Sequence, residues 1–421
     1  MSATATAAFL LLNADSTAVA GARVVALGVA LGAFGLAMVW EARQPGLDRR
    51  TVVALSALLL VVAVVAPPRG SRDVWSYATY GRIVAHYHGD PYRQTPQDFP
   101  GDPIAQRVAA GWQSAPSVYG PVFVAIAAVG SRLAGTSPIG NRIFFQALEA
   151  AAMLALLIGL ARRGAEPGAL AFLGLNPVAV AVVVNGGHND LLVGALVLGG
   201  ILLAARRRPV GGGLLLGLAA LVKVVAVLPL AAVAVWLWRS GRRPAAWAVG
   251  LAGALTSVAG YAAAGGRVAL RPVLASRQFH SRASVWSAVR GLGPFLRSPA
   301  TISLGVALVV LLVLAGRAPG PLPLAAGGAV AAYLLAAPYV LPWYVMWALP
   351  VLALAWRTPL AAGVSAYAGL LALAYLNPPS LDPDLLHGML TGVTVVLLPL
   401  MAVAAIAYLV RGAWRIAPDP F

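Results

Sequence analysis

The chain has no cysteine and, among its 421 residues, a single lysine, Lys223. Without cysteine there are no disulfides, no thiolate metal sites and no cysteine nucleophile, and the redox compartment stays open. Charge of either sign is scarce: 10% of residues are charged, against about a quarter in a soluble protein. The 13 acidic residues are outnumbered by 30 basic ones, nearly all arginine. No stretch has the composition of a soluble domain, and there is no heptad pattern and no short repeat. Apolar residues fill the room instead, at 60% of the chain with a mean hydropathy of +0.83, and they come in long blocks rather than in alternation. That excludes a soluble enzyme, a disordered tail and a single-anchor protein, and implies an integral membrane protein of many spans. A net charge of +17 would suit nucleic acid. In a membrane chain its ordinary source is basic cytoplasmic loops facing anionic lipid, so no nucleic-acid partner is expected.

Apolar segments of spanning or near-spanning length lie at about 21–40, 51–66, 119–134, 142–161, 167–184, 191–205, 244–262, 301–315, 324–338, 343–356, 358–376 and 388–410. The first lacks the charged start and cleavage site of a signal peptide, so it is expected to remain as a span. Arginine clusters at 206–208, 239–243 and 411–415, with Arg43, Arg49 and Arg50, belong on the cytoplasmic side. Segments 67–118, 263–300 and 377–387 then lie outside. Residues 211–238 fall between two cytoplasmic clusters and are too short for two full spans. They read as a re-entrant pair of half-helices broken near Lys223 or Pro229. An odd number of crossings must separate 67–118 from Arg206, and the expected non-crossing segment is 167–184, which Asn176-Pro177 interrupts. The whole is an all-α, polytopic membrane fold of about 11–13 spans in one domain, 1–421.

The chemistry-bearing residues cluster near the outer side. Asp73 stands a few residues beyond the second span. It reads either as a general base for a substrate arriving from outside or as an interfacial aspartate paired with Arg72 or Arg69. Tyr80, Tyr119, Trp343 and Tyr344 are suited to stacking on sugar rings, or equally to an aromatic belt at headgroup level. Asn185-Gly186-Gly187-His188-Asn189-Asp190 places His188 and Asp190 at a membrane boundary, where ionisable groups are costly unless paired or used; a loop with Asp190 capping the next helix is the plainer reading. A two-residue pair is too sparse for a metal site. Lys223, alone in an apolar run, needs an anion, for which a phosphate is apt, or else it snorkels. The loop 263–300 carries six arginines, among them Arg277 and Arg282, and no acid, which suits a phosphate-bearing lipid partner.

Taken in order, Arg72-Asp73 through Tyr80-Gly81-Arg82, Asp90-Pro91-Tyr92, Trp112, Tyr119-Gly120-Pro121, Gly186 to Asp190, Lys223 and Leu341-Pro342-Trp343-Tyr344 resemble the GT-C superfamily of polytopic glycosyltransferases. The resemblance is nearest to actinobacterial polyprenol-phosphomannose-dependent α-1,6-mannosyltransferases of the lipomannan-backbone type. It covers about residues 70–350. It implies a membrane enzyme with its active site facing outside, a catalytic base at Asp73, and inverting transfer from a β-linked lipid-phosphate mannose to a glycan or glycolipid acceptor. It also implies cations for the departing lipid phosphate, with Lys223, Arg277 and Arg282 the candidates, and no obligatory cofactor, a divalent metal remaining open. A transporter or flippase would show inverted repeats and mid-membrane charges on several helices. The same fold acting on an arabinofuranosyl or glucosyl donor is the remaining alternative.

Overall fold

Apolar segments in lipid must satisfy every backbone N–H and C=O internally, which leaves helices for a chain with no alternating strand pattern. The computed structural model describes residues 20–68, 70–276, 279, 281, 283–288, 298–316, 322–375, 388 and 391–411, and among these no strand occurs. The helices that build the site are α1 (Ala20–Arg43), α2 (Arg49–Val65), α3 (Asp73–Ala85), α4 (Pro121–Ala134), α5 (Pro138–Arg162), α6 (Pro167–Gly174) and α7 (Asp190–Ala205). They are followed by α8 (Pro209–Val222), α9 (Val227–Arg239), α10 (Arg243–Ala263), α11 (Arg267–Ala275), α12 (Pro299–Gly316), α13 (Leu322–Ala336), α14 (Pro359–Tyr375) and α15 (Leu398–Arg411). Proline opens α4, α5, α6 and α8, where its missing N–H costs nothing. Among the described residues, four helical stretches are long and apolar enough to cross a membrane on their own: Arg23–Arg43, Pro138–Arg162, Pro167–Val184 and Arg243–Ala263. Shorter apolar helical stretches of 10–17 residues, among them Pro121–Ala134, Asp190–Ala205, Pro209–Val222 and Pro359–Tyr375, stand beside them.

The bundle has two chemically distinct ends. At one, arginines bind the carbonyls that helix ends leave free. Arg49 donates to Ala161 and Ala165, Arg242 to Ala204 and Arg357 to Ala42, while Arg357 also pairs with Glu166 at 2.9 Å. At the other end Arg142 donates to Val64, Val65 and Ala66, and Asn185 to Ala63 and Ala66. Trp343 and Tyr375 pack there against each other.

These anchors correct one expectation. Segment 167–184 runs from the Arg49 end to the Asn185 end and is thus a crossing segment, not the exception. The Asn176-Pro177 interruption is absorbed: Asn176 Oδ1 accepts from the Val178 and Ala179 N–H groups, and Val178–Val184 continues as a π-helical turn. The segment that stays at one end is α4. Its start lies against Tyr77 through Tyr119 and Phe123, and its end accepts Arg82 Nη1 at the Gly135 carbonyl, so both ends touch the same 13-residue helix α3. The pair is close because Gly81 has no Cβ: one would overlap the Ala127 carbonyl. Short-range apolarity could not separate a helix lying along another from one crossing the bundle.

Residues 209–239 fold as two helices of 14 and 13 residues that go up and come back. Lys223 lies at the apex in an extended conformation (φ −142°), and Val224–Ala226 turns the chain. Along α10, α8 rises in step: Gly213 packs at Val249, Gly217 at Gly253 and Leu221 at Gly260. The descending α9 places Leu230 at Gly253 and Trp238 against Trp247. At about 1.5 Å per residue each arm is roughly 20 Å long, short of the about 30 Å hydrocarbon core. The apex meets the α3–α4 layer directly, with Gly120 N–H donating to the Val222 carbonyl at 3.0 Å.

Candidate active site

Segment 67–118 carries four aspartates at 73, 90, 98 and 102, and three are used locally. Asp90 accepts from the Tyr92 N–H and Asp98 from Thr95. Asp102, buried, accepts from Arg82 Nε at 2.6 Å and from the Tyr87 hydroxyl at 2.7 Å, which staples the loop to α3. Asp73 is the one left facing a cavity. It opens α3, where a carboxylate is favoured by the exposed N–H groups of the first turn, and its own N–H is taken by Ser71 Oγ at 3.1 Å.

That cavity encloses ≈ 140 Å³ and is walled by aromatic rings. Asp73, Tyr80 and Tyr119 come from the α3–α4 layer; Tyr339, Trp343, Tyr344 and Tyr375 come from the α13–α14 side. Trp112, Ser276 and Phe279 close the rim, with Trp112 and Phe279 edge-to-face at 5.4 Å. The Tyr80 hydroxyl is committed to the Ala115 carbonyl, so this residue offers the cavity its ring. A carboxylate among aromatic faces can take a proton from a hydroxyl group on a ring stacked against those faces.

Behind the wall lies a layer of buried polar groups. His188 is fully buried, stacks on Trp343 at 3.7 Å with 12° between planes, and presents Nδ1 3.5 Å from Asp73 Oδ2. Gly187 (φ +64°) makes the turn that aims it, and a Cβ at Gly186 would strike its ring. Burial works to raise the Asp73 pKa. The hydrogen-bonding and charge influence of His188, with lesser help from Ser71 and Lys223, outweighs it and holds the carboxyl below its ordinary 3.8.

Asp190 and Lys223 find each other. Nζ lies 2.6 Å from Asp190 Oδ1, an oxygen that also accepts Trp347 Nε1 at 2.6 Å. The ammonium stands 4.8 Å over the Tyr344 ring and 5.2 Å over Trp347. The anion that a lone intramembrane lysine requires is therefore supplied by the chain itself, and neither Lys223 nor Asp190 lines the cavity. Of the residues singled out in the sequence, Asp73, Tyr80, Tyr119, Trp343 and Tyr344 share one cavity. His188 faces Asp73 from outside its lining, the Asp190–Lys223 pair lies behind Tyr344, and Arg277 and Arg282 lie outside the described residues.

Tyr339 and Trp347 fall in the proline- and aromatic-rich turn 337–347, which the sequence offers either as part of an acceptor groove or as a kinked re-entry with interfacial aromatics. Ser76 and Tyr375 carried no warning from spacing. Glu149 did carry one, as the only acid in the apolar run 138–162. It is fully buried and accepts from the Leu191 and Leu192 N–H groups. No group of three or more His, Cys, Asp or Glu side chains arranged to hold a metal occurs among the described residues.

Residues 2–240 match the family described as alpha-(1->6)-mannopyranosyltransferase, N-terminal domain. The alpha-(1->6)-mannopyranosyltransferase A of Corynebacterium glutamicum is 29% identical over 202 residues, 47% of this chain and 40% of that protein. Its namesake from Mycobacterium tuberculosis is 31% identical over 216 residues, 48% of this chain and 40% of that protein. A "probable alpha-(1->6)-mannopyranosyltransferase" of Mycolicibacterium smegmatis is 28% identical over 439 residues, 86% of this chain and 75% of that relative. The matched region thus spans less than half the length of the first two. No solved structure matches the chain. With more than half of its length matched to the family, and with Asp73, Tyr119, His188 and Lys223 all inside the match, the chain belongs to the alpha-(1->6)-mannopyranosyltransferase family.

Proposed function

We propose that the protein is an inverting mannosyltransferase that moves mannose from a polyprenyl-phosphate donor to a glycan or glycolipid acceptor, forming an α-1,6 linkage. Asp73 is its general base. The observation that carries this is the cavity itself, in which one carboxylate of lowered pKa faces a wall of aromatic rings. Being ionised, Asp73 takes the proton of the acceptor hydroxyl. The hydroxyl oxygen bonds to the anomeric carbon from the face opposite the phosphate. The sugar–phosphate C–O bond breaks with its electron pair, and the lipid phosphate departs; a β-linked donor gives an α-linked product. The departing charge needs cations. Arg277 and Arg282 stand two and three positions from Phe279 in the sequence, and Phe279 is a residue of the cavity wall; we assign them that role. Lys223 acts at one remove, through Tyr344 and its pair with Asp190.

The same reading gives the chain a multi-pass place in the cell membrane, the end held by Arg49, Arg242 and Arg357 in the cytoplasm and the Asp73 end outside. It also makes one catalytic unit of the whole chain, because the cavity takes residues from within 2–240 and from 339–375. The test is purified full-length protein with radiolabelled polyprenyl-phosphate mannose and short α-1,6-mannosides. Mannose transfer is expected, and Asp73→Asn reduces kcat by about 10²–10⁴-fold with expression and folding unchanged. No transfer by the unsubstituted protein overturns the assignment. Turnover of a different lipid-phosphate sugar keeps the mechanism and changes the substrate.

A further inference from the structure

The loop Asn185–Asp190 delivers both His188 and Asp190; Asn185 ties its entrance to the Ala63 and Ala66 carbonyls, and the Gly187 and His188 N–H groups donate back to Val184 and Val183. Asn189, at the N-cap of α7, makes no side-chain cap bond, and neither of its side-chain polar atoms has a partner among the described residues. Asp190 and Leu191 are fully buried, so water does not reach the first-turn N–H groups of α7.

Further restraints come from α5, in two places one turn apart. Gln146 Nε2 donates to the Asn185 carbonyl at 2.8 Å, at the loop's entrance. Glu149 Oε2 accepts from Leu191 N–H at 2.9 Å and Leu192 N–H at 3.3 Å, at its exit, capping α7 from a neighbouring helix. Between these points Phe145 packs beneath Gly187. Both polar residues are fully buried, and neither lines the Asp73 cavity. Gln146 is itself anchored, donating to the Ala63 and Ala66 carbonyls at the end of α2.

We infer that Gln146 and Glu149 are positioning residues, a clamp on α5 that grips both ends of the Asn185–Asp190 loop and so holds His188 against Asp73 and Asp190 against Lys223. The inference rests on the transferase reading for its kinetic consequence but not for its geometry. Because the clamp touches no substrate, its loss acts on the chemical step rather than on binding.

Glu149→Ala is expected to lower kcat about 100-fold, the scale of a misplaced catalytic group, with donor and acceptor KM near those of the unsubstituted protein. Glu149→Gln, whose amide oxygen accepts the same two N–H bonds, recovers most of the rate. An unchanged kcat in Glu149→Ala, a change confined to KM, or a Gln variant as impaired as Ala each overturns the clamp. If Glu149→Ala does not fold, Gln146→Ala reads the other end of the loop by the same criteria. Amide hydrogen exchange over residues 185–192 supplies the readout independent of turnover. Faster exchange in Glu149→Ala but not in Glu149→Gln supports the clamp even if no mannose is transferred, which would overturn the transferase reading alone. Equal exchange in both variants overturns the clamp.

Discussion

Asp73 is pulled in two directions, and the balance is a measurable property. Burial favours its neutral form, while His188 and then Ser71 and Lys223 favour the carboxylate and prevail. A base held below the ordinary carboxylate range stays ionised as the pH falls, so kcat/KM should persist into acid solution and drop only as the pH passes through that depressed pKa. Any stability contributed by the same shift is present above the ordinary value and is lost over the same acid window. His188→Asn removes the largest influence that lowers the pKa and leaves the desolvation that raises it. The acid limb of the kcat/KM profile therefore moves to higher pH, and a limb that stays in place shows that His188 does not set the Asp73 charge. At this scale the sequence was informative where chemistry is rare. Asp73, His188 and Lys223 stand out because ionisable groups beside apolar runs are few. Glu149 carries the same signal but is missed in the sequence reading, and Tyr375 looks like any aromatic near a span end until the fold brings it to Asp73 across more than 300 positions.

The Lys223–Asp190 pair is best understood at the level of helices, because it joins the apex of the α8–α9 hairpin to the first residue of α7. Removing one partner leaves the other charge buried and uncompensated, at a cost of about 3–5 kcal/mol, whereas replacing both with apolar side chains is often neutral. Lys223→Met alone is expected to lower thermal stability sharply, and Lys223→Met with Asp190→Leu to recover it. Activity then separates the two roles of the lysine. A double variant that regains its fold but not its rate shows that the charge serves the departing phosphate through Tyr344. One that regains both shows that the pair only ties two helices together, and removes Lys223 from the donor site. Parity of the arginine clusters together with hairpin length places a break near Lys223 or Pro229, and the structure puts it at Lys223 with Pro229 inside α9. The identity of its partner was not legible, since 33 residues and a reversal of the chain separate the two.

Taken whole, the molecule sets Arg49, Arg242 and Arg357 at one end and its aromatic cavity at the other, and the count of crossings between them rests on α4. Counting hydrophobic length alone makes 119–134 a span and the proline-broken 167–184 the exception. The contacts of α4 with both halves of α3, and the run of 167–184 from Ala165 to Asn185, reverse that assignment. A chain without cysteine allows a direct test, because a single introduced thiol is the only one present. Gly101, Thr136 and Gln44 are all exposed; the first two lie at the cavity end and the third beside Arg43. In intact cells a membrane-impermeant maleimide should label Gly101→Cys and Thr136→Cys and should reach Gln44→Cys only after permeabilisation. If Thr136→Cys sorts with Gln44→Cys instead, α4 crosses the membrane and Asp73 and the start of α5 lie on opposite sides. That outcome would separate His188 from Asp73 and undo the site, so the position of one threonine in a loop decides whether the catalytic reading of the whole chain can hold.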